Sequence, residues 1–204
     1  EEVVGAARKM GIQHITLYAF SKENWRRPQM EVDFLMGLLS GFLDSKFDML
    51  FKNNVVFRVL GEMADLPQSL QEKLRKAVEA SKNNTGLQLN LALSYSSRDE
   101  IVRACRMIAA EAARGALTPE AVDEKVFSEH LYTAGIPDPD LLIRTSGEMR
   151  ISNFLLWQIS YAEIYVTSKF WPEFTAEEFE KAIADYRKRE RRFGRTEAVR
   201  GGEK

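Results

Sequence analysis

The chain has 204 residues, of which 45% are hydrophobic and 29% are charged, and its formal net charge is −1. This length suits a single domain with a sizeable core. The balance of 29 basic and 30 acidic residues argues against a general nucleic-acid-binding protein, which usually has a basic excess. No run of apolar residues is long enough to predict a membrane span.

Helical and strand-like segments alternate along the chain. Helices are predicted at residues 1–10, 30–52, 67–83, 98–114, 119–134 and 176–192, and strands at residues 14–20, 55–61, 87–95, 141–145 and 163–167. This alternation predicts an α/β fold with a mainly parallel central sheet flanked by helices. The only cysteine, Cys105, lies in the fourth predicted helix and is expected to be buried; a single thiol fits a reducing compartment.

A polar segment follows the first predicted strand, and ligands of open α/β sheets bind beyond the carboxyl ends of strands. This segment, residues 21–28, reads SKENWRRP. Arg27 could grip a phosphate through two N–H donors, Asn24 could position a proton or a water, and Trp25 offers a flat apolar wall. A solvated loop whose tryptophan plugs the core is an equally open interpretation.

A second polar segment, residues 144–153, reads RTSGEMRISN. Arg144 ends an apolar strand, where a lone cation is costly without a partner. An anion the size of a diphosphate would satisfy Arg144 together with Arg150 and the Ser152 hydroxyl, although Ser152 or Asn153 could also cap a short helix at residues 154–157. The alternative is a structural salt bridge between Arg144 and Glu148; the anion site is favoured.

Two further features bear on a diphosphate ligand. Glu163 begins the last predicted strand, and a carboxylate near a diphosphate site is a natural Mg²⁺ ligand. A zinc cluster is not expected, because the chain has only two histidines and one cysteine. Residues 187–195 read RKRERRFGR, which predicts either a solvated helix end or an arginine delivered to a phosphate in the same or a partner subunit.

The predicted helix at residues 30–52 is unusual because its sequence from 34 to 43, FLMGLLSGFL, is apolar nearly all round. A helix of this kind is normally buried on every side. The alternative is that one face lines a hydrophobic tunnel, in which the flexible or small residues Met36, Gly37, Ser40 and Gly41 leave room for a lipid chain.

These motifs resemble those of a known family. Residues 18–28 (YAFSKENWRRP) and 140–158 (DLLIRTSGEMRISNFLLWQ) resemble signatures of the cis-prenyltransferases, and of bacterial undecaprenyl diphosphate synthase in particular. The motifs YAE at 161–163 and FWP at 170–172 continue the resemblance, and Arg192 and Gly194 match the family's C-terminal R-x-G. The resemblance covers nearly the whole chain in the right order.

The resemblance implies an enzyme that condenses isopentenyl diphosphate with an allylic diphosphate such as farnesyl diphosphate. Each cycle adds five carbons with a cis double bond, and the expected product is undecaprenyl diphosphate for the cell-wall lipid carrier. The implied fold is that of undecaprenyl diphosphate synthase, with the helix at 30–52 as a wall of the product tunnel. The implied cofactor is Mg²⁺.

The resemblance also assigns roles to residues. Asn24, through a hydrogen-bond network with Ser21, matches the residue used in proton removal, and Glu163 matches a magnesium ligand. Arg144, Arg150 and Ser152 match the isopentenyl diphosphate clamp. The remaining substrate-contacting positions are Lys22, Glu23, Trp25, Arg27 and Ile151, and Arg192 and Gly194 match positions that contact a diphosphate in the partner subunit.

The implied partners are the two substrates and a second copy of the chain, with no nucleic acid. The expected location is cytoplasmic, with a membrane surface as a site of product release. A homodimer is also predicted from residues 160–171, which are apolar, and 187–195, which are rich in arginine.

The sequence departs from the family pattern at its beginning. The family opens with a strand and an Asp-Gly-Asn-Gly-Arg-type loop that holds the allylic diphosphate, and no such stretch occurs in residues 1–204. We therefore expect a single domain that lacks its first strand and this loop, and that is inactive as these 204 residues alone. Met149 stands where some members carry histidine.

Two alternatives belong to other classes of protein. A non-catalytic subunit of a heteromeric cis-prenyltransferase would keep the fold, but such subunits typically lose the Asn-Trp and Arg-Ile-Ser-Asn motifs, which this chain keeps. An unrelated α/β phosphate-binding protein would explain Arg144 and Arg150 but not the apolar helix.

Overall fold

The computed structural model describes residues 2–190, except for the side chains of 47–51. The five strands are β1 (His14–Ser21), β2 (Val56–Leu60), β3 (Gln88–Tyr95), β4 (Leu141–Arg144) and β5 (Glu163–Val166). The six α-helices are α1 (Glu2–Lys9), α2 (Gln29–Lys52), α3 (Gln68–Ser81), α4 (Ser97–Ala113), α5 (Glu124–Glu129) and α6 (Ala176–Tyr186). None of these helices is long and apolar enough to cross a bilayer.

All strand pairs in the described chain are parallel, so the predicted α/β class is confirmed. The strands form two sheets, one with the order β1-β3-β2 and one in which β4 pairs with β5. Among the described residues β1 pairs only with β3. That a family strand preceding β1 is missing stays a prediction. The carboxyl ends of β1 and β3 lie side by side, because Ser21 is opposite Tyr95.

The core lies around β3, which is the middle strand of its sheet. Seven of its eight residues are buried, as expected for a strand that is paired on both sides and covered on both faces. Helix α3 packs on this sheet through Leu70, Leu74, Ala77 and Ser81, whose spacing of three or four residues places them on one helical face. Burial of each leucine contributes about 1.5–3 kcal/mol.

Helix α2 is not buried on every side. Val32, Met36 and Leu43 face the core, whereas Met30, Phe34 and Leu38 are 86%, 65% and 56% exposed. The exposed residues recur every four positions and therefore form one apolar stripe along the helix. Of the two interpretations of this helix, burial on every side does not hold, and an exposed apolar face is what the alternative requires.

Three other local expectations were also wrong. The helix predicted at 119–134 is interrupted, because the Asp123 carboxylate accepts the Val126 backbone N–H at 2.8 Å and starts the short helix α5 there. Residues 154–157 form turns instead of a helix. Cys105 is exposed, since the buried face of α4 passes through Ser97, Glu100 and Ala104, and the next residue points about 100° away.

Candidate active site

The first polar segment forms a tight turn at the carboxyl end of β1. Residues Lys22–Arg26 form a 3₁₀ turn, and the Asn24 side-chain oxygen accepts the Ser21 backbone N–H at 2.9 Å. This bond fixes the Asn24 amide beside the end of the strand and does not use its two Nδ2 hydrogens. The structure thus places the predicted pair Ser21 and Asn24 in direct contact.

Trp25 is half-buried and packs against the main core. Its ring packs edge-on against Phe20, with centroids 4.9 Å apart, and its Nε1–H donates to the Ser94 hydroxyl at 2.8 Å. Part of the indole still faces a cleft, so it can serve as the apolar wall that the sequence predicts.

The structure brings the two polar segments together although they are 130 residues apart in sequence. Asn153 Nδ2 donates to Glu23 Oε1 at 2.7 Å. The Tyr18 ring stacks on Phe154 with centroids 4.4 Å apart, and its hydroxyl is 3.5 Å from the Ser152 carbonyl oxygen. Partial burial favours the neutral form of Glu23, but the hydrogen bonds from Asn153, from the backbone and from Ser21 outweigh it and lower the pKa of this carboxyl.

The second segment is also held against the start of helix α4. The Asn153 side chain donates to the Ser96 hydroxyl at 2.8 Å and accepts the Arg98 backbone N–H at 3.0 Å, and the Ser97 hydroxyl accepts the Leu156 N–H at 2.9 Å. Ser152, Asn153 and Leu155 have positive φ angles of 55°, 59° and 48°. Such angles are unfavourable for residues other than glycine, so these contacts hold a strained turn in place.

Arg144 has the environment that the anion interpretation predicts. It ends β4, and its Nε is buried with no hydrogen-bond partner among the described residues. Its charge acts on Tyr18, where it opposes the burial and the Glu23 charge that raise the pKa of the phenol to about 12. The alternative salt bridge to Glu148 is not formed, because Glu148 pairs with Arg150 at 2.5 Å.

The other residues predicted to contact substrate are accessible. Arg150, Ile151 and Ser152 are all exposed, as a substrate contact requires. Lys22 pairs with Asp99 at 2.9 Å, and Arg27 pairs with Glu31 at 2.6 Å. Ion pairs at the surface contribute little, about 0–1 kcal/mol, so a diphosphate can take over these cations at small cost.

Glu163 lies away from Arg144. It pairs with Leu141 in the parallel register, whereas Arg144 pairs with Val166, so the two residues are at opposite ends of the small sheet. At about 3.3 Å per residue, their backbones are roughly 10 Å apart. The Glu163 carboxylate accepts from Arg189 at 2.9 Å, and the same guanidinium binds Asp185 at 2.6 Å.

A magnesium ion does not fit these residues within one chain. Glu163 and Asp185 are both paired with Arg189, and no group of three or more His, Cys, Asp or Glu side chains converges among the side chains that the structure describes. Mg²⁺ requires near-octahedral oxygen ligands. The predicted contacts of Arg192 and Gly194 lie outside the described residues.

Sequence reasoning missed Glu100, which is fully buried behind the second segment. Its carboxylate accepts from the Tyr95 hydroxyl at 2.5 Å, the Tyr132 backbone N–H at 2.7 Å and Gln158 Nε2 at 3.2 Å. Burial and the Glu100 charge raise the pKa of Tyr95. The helical spacing of Ser97, Glu100 and Ala104 is the signal that could have placed this carboxylate in the interior.

The linked segments border an open cleft of about 670 Å³. Its charged lining is balanced, with Lys22, Arg26 and Arg98 against Glu23, Asp65 and Asp99, and it also includes Trp25, Ser96 and Asn153. The volume is large enough for a diphosphate with part of its substituent.

Comparison with known proteins identifies the family. The sequence profile of the undecaprenyl diphosphate synthase family matches residues 1–194. The chain is 48% identical over 196 residues to an isoprenyl transferase of Geobacter sulfurreducens, covering 96% of this chain and 80% of that protein. It is 50% identical over 188 residues to an isoprenyl transferase of Geobacillus kaustophilus, covering 92% of this chain and 73% of that protein.

A solved structure agrees with these sequence matches. Lavandulyl diphosphate synthase from Lavandula x intermedia, in complex with dimethylallyl diphosphate, superposes with a TM-score of 0.92 and 40% identity, covering 95% of this chain and 84% of that one. The sequence profile, the relatives and the fold agree, and the chain belongs to the undecaprenyl diphosphate synthase family of prenyltransferases.

Proposed function

We propose that this prenyltransferase condenses isopentenyl diphosphate with a farnesyl-type allylic diphosphate and makes a cis-polyprenyl diphosphate. The observation that carries the proposal is the buried Nε of Arg144, which has no partner among residues 2–190 and lies at the carboxyl end of a parallel strand. A buried donor of this kind is costly unless a ligand accepts its hydrogen bond.

In the proposed reaction a carbon–carbon bond forms between the allylic C1 and the C4 of isopentenyl diphosphate. The allylic diphosphate leaves with the electron pair of its C–O bond, and a proton leaves C2 of the isopentenyl unit. Arg144, Arg150 and Ser152 would hold the diphosphate that the product keeps. Asn24, fixed by the Ser21 backbone, would orient the departing proton.

The hydrocarbon chain needs an apolar surface, and helix α2 supplies a candidate. Met30, Phe34 and Leu38 form its exposed stripe, and a side chain added at Gly37 or Gly41 would meet no atom within 4 Å. We assign this face to the growing chain. The proposal extends to a product of undecaprenyl type that serves as a cell-wall lipid carrier and is released at a membrane surface from a cytoplasmic enzyme.

Mg²⁺ belongs to the proposal as the ion that would neutralise the leaving diphosphate. Glu163 is the one carboxylate assigned to it. Because the described residues of a single chain do not complete such a site, no step is derived through the metal.

A homodimer is the proposed assembly. The surface around β5 exposes five large apolar side chains, with exposed fractions from 36% to 73%: Tyr161, Ile164, Val166, Phe170 and Trp171. Exposed apolar patches of this kind mark interaction sites.

The alternative of a non-catalytic subunit is not favoured. The residues such a subunit would be free to lose are here held by specific contacts, above all Asn24 by Ser21 and Asn153 by Glu23.

Incorporation of radiolabelled isopentenyl diphosphate into lipid, with farnesyl diphosphate and Mg²⁺, tests the proposal on the intact protein. We expect turnover by the native protein and a large loss of kcat in Asn24→Ala. Asn83→Ala is the matched control, because Asn83 is an exposed asparagine beyond the end of α3. No incorporation by the native protein would contradict a catalytic role.

A further inference from the structure

A series of hydrogen bonds holds Trp25 through two residues, Ser94 and Asp65, that do not belong to the family motifs quoted above. The indole Nε1–H donates to the Ser94 hydroxyl at 2.8 Å, and that hydroxyl donates to Asp65 Oδ2 at 2.6 Å. Ser94 is the second-last residue of β3 and is 2% exposed, whereas Asp65 lies in the turn that follows β2 and is exposed. The hydrogen bonds therefore run from the 3₁₀ turn at Lys22–Arg26, through the central strand β3, to a loop in which Asp65 is 40 residues away from Trp25 in sequence.

The direction of these hydrogen bonds follows from the chemistry of the groups that make them. An indole N–H can only donate, and an ionised carboxylate can only accept. The Ser94 proton must therefore point at Asp65, which leaves a lone pair of the hydroxyl for the indole. Without Asp65 the hydroxyl is free to rotate, and its lone pair is no longer held towards Trp25.

The backbone around Ser94 is built to hold this arrangement. Ser94 has a φ of 44°, a left-handed conformation that is uncommon outside glycine. Its carbonyl oxygen accepts the Glu62 backbone N–H at 3.3 Å, which ties the end of β3 to the loop that carries Asp65. The loop turns at Gly61, where φ is 113° and an added Cβ would lie 2.2 Å from the Leu93 carbonyl oxygen, so only glycine allows this close approach.

We propose that Asp65, acting through the Ser94 hydroxyl, is a positioning residue that fixes the Trp25 indole at the edge of the cleft. The inference rests on the proposed function, because Trp25 matters there as the wall of the substrate site. Asp65 also lines the cleft, so a direct contact with substrate is the competing role that the test must separate.

A double-mutant cycle separates the two roles. Asp65→Ala in the native background should lower kcat for isopentenyl diphosphate incorporation about tenfold. In a Trp25→Phe background, where no indole N–H remains, the same change should have less than a twofold effect. Glu72→Gln is the matched control, since Glu72 is another exposed carboxylate that accepts one side-chain hydrogen bond, from Gln68, and does not contact Ser94.

A second readout does not depend on activity. With the other two tryptophans, Trp157 and Trp171, replaced by phenylalanine, Asp65→Ala and Ser94→Ala should each red-shift the Trp25 emission and increase its quenching by acrylamide. If the Asp65→Ala loss of kcat persists at full size in Trp25→Phe, Asp65 acts on substrate and the positioning role is wrong. Unchanged fluorescence in both variants would also overturn it, even if the protein proves to catalyse no prenyl transfer.

Discussion

Asn153 joins the two halves of the proposed active site, and its replacement by alanine gives the most informative single perturbation. The change removes three side-chain hydrogen bonds, two donated to Glu23 and Ser96 and one accepted from Arg98. It also places alanine at a φ of 59°, which asparagine tolerates better. The turn that carries Ser152 then loses its side-chain link to the 3₁₀ turn after β1 and two of its links to the start of α4.

The size of the effect can be worked out from these contacts. Each hydrogen bond contributes about 1 kcal/mol, and the left-handed backbone adds about 1 kcal/mol for alanine relative to asparagine. Because the site is partly exposed, we expect a loss of about 2–4 kcal/mol. For a domain of this size that corresponds to a fall of roughly 5–15 °C in Tm. The KM for isopentenyl diphosphate should also rise about tenfold, because Ser152 and Arg150 lose their fixed backbone.

Asn54 provides a matched control. It has a φ of 56°, its side chain donates to Thr85 Oγ1 at 3.1 Å, and it accepts the Thr85 backbone N–H at 2.9 Å. Asn54→Ala should therefore destabilise the protein by a similar amount, at the opposite end of the sheet from the cleft, without changing KM. Thermal unfolding and steady-state kinetics on both variants decide the matter. An unchanged KM in Asn153→Ala, beside the expected fall in Tm, would refute the positioning of the clamp by this link.

Three further predictions follow from other contacts. Arg144→Ala should weaken isopentenyl diphosphate binding ten- to a hundredfold in calorimetry, because a charge-assisted contact of about 1.5–3 kcal/mol is lost; unchanged affinity would contradict the clamp. The hydrogen bond to the Val126 carbonyl raises the pKa of His130, and Glu111 raises it further, whereas partial burial lowers it. The stability that the protonated His130 contributes should therefore be fully present below a pH of about 6.5 and be lost as the pH rises through the pKa of the folded state. Glu111→Gln should make the free energy of unfolding, measured by denaturant titration, depend less on pH, and an unaltered pH dependence would refute this role of Glu111. Ile164→Asp should turn a dimer into a monomer in light scattering, and a native protein that is already monomeric at micromolar concentration would exclude the dimer.

The sequence predicted the elements well where periodicity and burial agree. The strands at β1, β3 and β5 have continuous apolar or alternating patterns, and each matches its prediction at one end and differs by one residue at the other. The helix at 119–134 was misjudged because a single capping aspartate, Asp123, outweighs helical propensity in its surroundings. For α2 the sequence left two interpretations open, because a helix buried on every side and a helix with one face on a ligand surface have the same apolar composition.

The site was predicted in its parts but not in its connections. The sequence motifs placed Asn24 and Arg144 in two segments, and the structure joins those segments. The bond from Asn153 to Glu23 and the interior carboxylate of Glu100 depend on long-range packing, which a local pattern does not record. The separation of Glu163 from Arg144 depends on strand register, which is fixed only when β4 and β5 pair.

The stereochemistry of the product tests the central claim most directly. Intact protein would be incubated with farnesyl diphosphate, ¹³C-labelled isopentenyl diphosphate and Mg²⁺, and the geometry of each new double bond would be read by NMR. The account predicts a lengthened diphosphate in which every added isoprene unit is cis, with Asn24→Ala forming far less of it. Trans units, or no condensation at all by the native protein, would contradict it.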